Sequence, residues 1–479
     1  MTLLHFRHCE ERSDVAIQGL GAIARWIATT ARTIAIPSTR NEGSGDLICR
    51  SLRPFMCRRV YDNGKELMGA LSGIRVLDLS RVLAGPWCGQ ILADLGAEVI
   101  KIERPGSGDD TRGWGPPWML DERGNSSGEA AYYQSANRGK YSVAVDLAST
   151  EGQELVRALA ASSDVLIENY KAGSLARYRL DYASLAELNP RLVYCSITGF
   201  GQTGPRAAEP GYDFIIQGMA GLMSITGERD DLPGGGPQKA GVAVADLMTG
   251  LYATIAIQAA LIDRQKTGVG QHCDMALFDV QLATLANQTM NYLVSGKAPG
   301  RYGNAHANIV PYQVFSGADR DFIIACGNDS QFGALCTAIG LPELAADPRY
   351  MRNADRVQHR EQLIATLAEH FLTRTADEWV SCIHAVKVPV GPINDIAQAL
   401  AEPQAQARDM LVPLVHPLNP DFAMVGSPIK LSGSPVAYHR PPPVLGQDTD
   451  AVLRDRLGLD QAQLAELKEQ KVIQQSGIN

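Results

Sequence analysis

The chain has no CxxC pair, and its nine cysteines never combine with histidine at a zinc-like spacing. That reads against a structural metal and against a dithiol redox motif, and it leads to an expectation of reduced thiols in a cytoplasmic protein. A basic field is missing too. Lys and Arg number 44 against 52 Asp and Glu, a net charge of -8, so no nucleic-acid partner is expected, although local patches can still hold a phosphorylated ligand. No run of 18 or more strongly apolar residues stands out, so no membrane span is expected. What is present is ordinary for a globular protein: 45% apolar and 20% charged residues, in a 479-residue chain with room for two or three domains.

Residues 1–67 differ from the rest. "RHCEERSDVAIQ" and "ARTIAIPSTRNEGSGDLICRSLRPFMCRR" sustain neither a helical nor a strand period. Glu10, Glu11 and Asp14 fit neither a secretory signal nor a transit peptide. The expectation is a disordered or loosely docked extension, with the natural chain beginning near Met68.

From Met68 onward the pattern is regular. "GIRVLDLS" and "EVIKIER" are strand-length apolar runs, and "WCGQILADLGA" between them has helical spacing. "YSVAVDL", "QELVRALAASS", "DVLIENY" and "RLVYCSITGFG" repeat the alternation, which predicts an α/β, Rossmann-like, doubly wound parallel sheet. A dinucleotide site would need G-x-G-x-x-G after the first strand, with Glu103 as its ribose acid. The turn instead reads "SRVLAGPWCG", so the close backbone approach to a pyrophosphate is not encoded.

One carboxylate is out of place. Asp246 interrupts the small and apolar run "GVAVADLMTGLYATIAIQAALI", with no Lys or Arg nearby to pair with it. Burying a lone charge is costly, so Asp246 either caps a helix or is used chemically.

Seven blocks in order, "RVLAGPWCGQILADLGAEVIKIERPGSGDDTRGWGPP", "NRGKYSVAVDL", "DVLIENYKAGSL", "YCSITGFGQTGP", "GYDFIIQGMAGLMSITG", "VADLMTGLYA" and "RYGNAHANIVPYQVF", resemble the family III CoA-transferases of the CaiB/BaiF type. The resemblance runs from about Ser72 to about Thr449 and is strongest to the branch that uses succinyl-CoA as donor and a dicarboxylate such as glutarate as acceptor. It implies a large CoA-binding domain over 68–285, a smaller α+β domain over 286–390, a return to the large domain over 391–479, and an interlocked homodimer. Coenzyme A is then a substrate, with no permanently bound cofactor, no metal and no membrane partner.

The resemblance also assigns roles. Asp246 matches the nucleophile, which attacks a thioester to give a mixed anhydride and then an aspartyl-CoA thioester. Asp213 and Tyr212 of "PGYDF" belong to the active-site surround. The family's racemases carry His where this chain has Tyr212, which argues against a 2-methylacyl-CoA racemase. Arg104, Asn169, Tyr170, Arg177 and Tyr178 match positions along the CoA channel, with Lys140 and Arg138 of "NRGK" adding positive charge nearby. "RYGNAHANIVPY" matches a mobile loop over the nucleophile: Gly303 and Asn304 permit unusual dihedrals, and Arg301, His306 and Arg112 are candidates to meet a second acceptor carboxylate. Leu83 stands where oxalate-using formyl-CoA members have Gln, which argues against the alternative of a formyl-CoA or acetyl-CoA:oxalate transferase. "LPGGGPQ" reads as a flexible connection. A CoA-binding regulator would not need Asp246. A thioester hydrolase would need a base such as His306 beside it.

Overall fold

The structure, a computed structural model, describes residues 69–477 and the short segments 61–62 and 65–66. The expectations for 1–67 and for a start at Met68 fall on residues outside those described, apart from the two segments.

The apolar runs become strands: β1 (Arg75–Asp78), β2 (Glu98–Glu103), β3 (Lys140–Val145), β4 (Val165–Glu168) and β5 (Val193–Thr198). Two further strands, β6 (His272–Ala276) and a terminal pair at Ile473–Gln474, complete a seven-stranded sheet. In space the order is β6-β5-β4-β1-β2-β3, parallel throughout, with Ile473–Gln474 antiparallel on the β3 edge. The predicted doubly wound sheet is therefore observed.

The strands are apolar on both faces because helices cover both. Leu77, Ile100 and Leu166 point into one core, shared with Val156 and Leu159 of α2 (Thr150–Ala161). Their neighbours Val76, Val99 and Val165 point into the other. There they meet Cys88 and Leu92 of α1 (Ala84–Asp94) and Ala253 and Ile257 of α4 (Val244–Thr267). Ser149 caps α2 by accepting from the Gly152 N–H, and Gly268, with φ 77°, ends α4 in the left-handed conformation that glycine adopts without strain. A short helix, α3 (Asp213–Met219), packs beside the start of α4.

Helix α4 corrects one expectation: by length and composition it could cross a membrane. It carries Asp246 in its first turn, packs Ala245, Ala253, Ile257 and Ala260 into the sheet core, and anchors its far end through a 2.9 Å Arg264–Asp164 ion pair. These are the contacts of a core helix. Five alanines, three threonines and a glycine among its 24 residues kept the run from reading as strongly apolar.

The sheet order reverses between β1 and β4, since the chain builds β2 and β3 on one side of β1 and then returns to build β4 and β5 on the other. The connections that leave the carboxyl ends of β1 and β4 consequently run to opposite faces of the sheet, the position where open α/β sheets hold ligands.

A second core gathers Val310, Phe315, Phe322, Phe371, Trp379 and Val388. It is built on antiparallel β7 (Tyr312–Ser316), β8 (Asp321–Ala325) and β9 (Val390–Pro392), with aromatic rings at centroid distances of 4.9–5.3 Å. The chain then returns to the large sheet: Leu453, Leu464, Leu467 and Ile473 join the α2-side core.

Candidate active site

A cleft of about 760 Å³ opens at the carboxyl ends of β2 and β3, beside the point where the sheet order reverses. Arg104, Tyr170, Arg177 and Tyr178, four of the residues expected along a CoA channel, line it. Arg104 and Arg177 are exposed, and the Arg177 guanidinium lies 4.5 Å from the Tyr178 ring centroid. Arg81 adds a cation 5.3 Å from the Tyr170 ring centroid. Lys471 and Lys468, the latter paired with Asp450, come from the end of the chain and bring two more. Guanidinium forks and ammonium groups beside tyrosine faces suit a phosphorylated nucleotide. The two lysines were missed because they lie more than 360 residues from Arg104. Their signal, two lysines at the end of the last helical pattern in "LAELKEQK", is a weak one.

Asn169, also expected along the channel, is not a wall of the cleft. Its side-chain oxygen accepts from the Arg81 N–H at 2.8 Å and its amide donates to the Arg81 carbonyl at 2.6 Å, which ties the end of β4 to the turn after β1. That turn is strained. Val82, β-branched, has φ 71°, and its N–H donates to Asp109 at 3.2 Å.

The structure uses three expected ligand cations elsewhere. Lys140 is fully buried: its ammonium lies 2.9 Å from Asp78 and also donates to the Pro86 carbonyl and Asn137. Arg138 forks onto Asp94 through two 2.7 Å bonds. Arg112 is buried against Glu103, Glu129, Tyr133 and the Pro443 carbonyl, so it does not face an acceptor. In each case a nearby carboxylate outcompetes water or ligand for a charge that the fold has removed from solvent. Glu103 is likewise spent, on Arg112, Ser142 and the Asp109 N–H, which leaves no free ribose acid.

Asp246 lies in the first turn of α4, half-buried, and is not a wall of the cleft. It does not cap its helix. Ala243 precedes the helix with no side chain to offer, and the cap comes from α3: Asp213 accepts from the N–H groups of Ala245 at 2.8 Å and Asp246 at 3.3 Å. Burial, with the Asp213 charge in addition, pushes the Asp246 carboxyl up to about 7. No cation among the described residues offsets this. Tyr132, which the sequence reading overlooked, feels both Asp246 and the cleft: burial raises its phenol, and so do the charges of Asp246, Asp213 and Asp109, the last a cleft residue. Trp114 packs edge-on against Tyr132 at 5.2 Å.

Gly250 lies one turn beyond Asp246, on the same helix face. A Cβ there would come within 2.7 Å of the Ala84 carbonyl oxygen and 3.2 Å of Trp87. The glycine lets α4 approach α1 and so fixes where Asp246 projects. Gly250→Ala is expected to cut turnover about ten- to a hundredfold, because backbone cannot yield and small misplacements of a reacting group are costly. Wild-type kcat in the folded variant would contradict that.

The loop residues are placed but not joined to Asp246 by any described contact. Arg301 donates to the carbonyls of Glu228 and Ser224 and pairs with Asp230, so it fastens the 224–230 segment. Gly303, with φ 57°, lies against the Glu228 carboxylate, where a Cβ would clash at 2.7 Å, and Asn304 is exposed beside it. His306 accepts from the Asn308 N–H at 3.0 Å through Nδ1 and packs on Tyr312. Tyr212 is two-thirds exposed, at 67%, just before α3. Among the described residues no cluster of His, Cys, Asp and Glu could hold a metal ion.

Comparison with known proteins places the chain in a family. The family described as CoA-transferase family III matches residues 71–449. The chain is 52% identical to a succinate–glutarate CoA-transferase of Agrobacterium fabrum, over 80% of this chain and 95% of that protein. It is 42% identical to a human succinyl-CoA:glutarate CoA-transferase, over 85% and 90%. A crystal structure of a CaiB/BaiF family protein from Brucella suis superposes with a TM-score of 0.72 at 50% identity, covering 81% of this chain and all of that one.

Proposed function

The chain belongs to CoA-transferase family III, and from that premise we propose that it moves coenzyme A from succinyl-CoA to glutarate or a dicarboxylate of similar length, with Asp246 as nucleophile. The observation that carries the reading is a half-buried carboxylate with a raised proton affinity and no cation partner among the described residues. Poor solvation is what makes a carboxylate nucleophilic.

The steps balance without an external reagent. An Asp246 oxygen attacks the succinyl thioester carbonyl; the C–O bond forms, the C–S bond breaks, and CoA leaves as thiolate. The thiolate attacks the Asp246 acyl carbon of the anhydride and expels succinate, leaving aspartyl-CoA. The glutarate carboxylate attacks that thioester and again releases the thiolate. Attack of the thiolate on the glutaryl carbonyl then gives glutaryl-CoA and frees Asp246. The cation-rich cleft suits the nucleotide end of CoA. His306 remains the proposed contact for a distal carboxylate, Arg112 being committed to Glu103 and Glu129 and Arg301 to Asp230. Leu83 is buried at the start of α1 and offers no amide to oxalate, and Tyr212 offers no imidazole for racemisation.

The test is mass spectrometry of protein incubated with succinyl-CoA, paired with competition among glutarate, oxalate and butyrate. A CoA adduct on the Asp246 peptide and a preference for glutarate of about tenfold or more are expected, since a carboxylate–cation contact in a closed site is worth about 1.5–3 kcal/mol. Butyrate turned over as well as glutarate would defeat the dicarboxylate assignment.

We also propose that two copies assemble. Met248, Leu251, Tyr252, Ile255 and Ile262 form an exposed apolar stripe along α4, continued by Phe214 and Ile215 of α3. A contiguous exposed apolar stripe marks an interaction surface, and a self-complementary one builds a symmetric dimer. Sedimentation should give twice the chain mass, and Ile255→Asp should weaken the assembly. A wild-type protein sedimenting as one chain would rule this out.

A further inference from the structure

Gln217 plays no part in the chemistry above, yet it is fully buried and every polar atom of its side chain is committed near the nucleophile. Its amide donates to Asp213 Oδ2 at 2.6 Å, and its oxygen accepts from the Ala240 N–H at 2.9 Å. The other Asp213 oxygen, Oδ1, takes the first free N–H groups of α4, including that of Asp246 itself. Ala240 belongs to the segment that leads into α4, so a closed circuit runs from α3 through Gln217 to that segment and from α3 through Asp213 to the helix start.

The circuit has a chemical consequence. Asp246 is the third residue of α4, where a short acidic side chain can fold back onto the free N–H groups of its own first turn. A carboxylate so engaged would be stabilised and a poorer nucleophile. Because Asp213 already occupies those N–H groups, the Asp246 side chain is kept out of its own helix end. Asp213 can do this only while its second oxygen is held, and Gln217 is the group that holds it.

We infer that Gln217 is a positioning residue that, by fixing Asp213 as the cap of α4, keeps Asp246 free to attack. The inference rests on the reading of Asp246 as nucleophile. The titratable and charged groups around the circuit are Asp246 of α4, Asp213 of α3, Tyr132 and, through Tyr132, Asp109, with exposed Lys239 next to Ala240.

The test reverses the polarity of one hydrogen bond. In Gln217→Glu the introduced carboxylate faces Asp213; in Asp213→Asn the introduced amide faces the Gln217 amide. Each single variant is expected to lose about ten- to a hundredfold in kcat, with KM for succinyl-CoA changed less than about threefold. In the double variant Asp213→Asn with Gln217→Glu, donor and acceptor are exchanged and the link is restored, so kcat should return to within about threefold of wild type.

The pH profile gives an independent readout. Wild-type activity should rise with pH as Asp246 ionises. The deficit of Gln217→Glu relative to wild type at the same pH should instead narrow as pH falls, because the protonated carboxyl again donates to Asp213. Melting curves and CoA binding control for folding, and if Gln217→Glu does not fold, Asp213→Asn compared with the double variant carries the test.

Formation of the CoA adduct on the Asp246 peptide separates the two readings. An adduct in wild type with equally fast adduct formation in both single variants, or with no recovery in the double variant, overturns the role of Gln217 alone. Absence of the adduct in wild type overturns both.

Discussion

Asp246→Ala is expected to abolish CoA transfer, by at least about a thousandfold, while the protein stays folded and still binds CoA, because removal of a covalent nucleophile typically costs several orders of magnitude. The CoA cleft and the sheet core do not depend on this side chain: it is not a wall of the cleft, and its helix is capped by Asp213. More than about 1% residual activity would mean that another group can take the acyl transfer. The same residue sets two pH dependences. Attack needs the ionised carboxylate, and its proton affinity is raised to about 7, so the acid limb of kcat/KM should lie near neutrality rather than near 4. For stability the sign runs the other way. A carboxyl whose folded pKa is above its unfolded value favours the folded state below the unfolded pKa, and that advantage is lost as pH rises through the folded one. Asp246→Asn should therefore raise the melting temperature, and by more at pH 8 than at pH 5. No gain at pH 8 would show that the carboxylate is better solvated than its burial implies.

Much of this arrangement could be read from the chain, and the failures share a cause. Strands such as "EVIKIER" and "DVLIENY" are visible because a strand buried on both faces is apolar at every position, and "WCGQILADLGA" is visible because its glycine marks the helix end. β6, "HCDMA", carries no such signal: its residues are half-buried at the sheet edge, beyond the end of α4. At the site, Asp246 stood out because it is local, one acid in a run of small residues. The cap on its helix did not, since Asp213 and Gln217 lie about thirty residues upstream and only folding brings them to Ala240 and Ala245. Cations were the least readable. Lys140, Arg138, Arg112 and Arg301 look alike in sequence to Arg104 and Arg177. Whether each meets a carboxylate or open solvent is decided by residues 9 to 71 positions away in the chain.

Lys140→Met should show this distinction as a large loss of stability, with KM for CoA little changed in the protein that remains folded. Lys140 and Asp78 are both fully buried, under α1 where Gly89 leaves room: a Cβ at that position would lie 2.8 Å from Asp78 Oδ2. Burial pushes the Asp78 carboxyl up, and the Lys140 and Lys101 charges with the Ser80 hydroxyl more than reverse it, so its pKa is lowered. Removing the ammonium leaves that carboxylate in a dry interior with its main partner gone, and breaking one side of a buried pair costs about 3–5 kcal/mol. For a domain of this size the melting temperature should fall by roughly 10 °C. Asp78→Asn combined with Lys140→Met should recover much of the loss, because no uncompensated charge is left. A lowered folded pKa stabilises above the unfolded value of 3.8 and is lost as pH falls through the folded one, so the gap between wild type and Lys140→Met should narrow in acid. If Lys140→Met instead melts with wild type and raises KM for CoA tenfold, the ammonium reaches the phosphates after all, and the Asp78 pairing is not its main use.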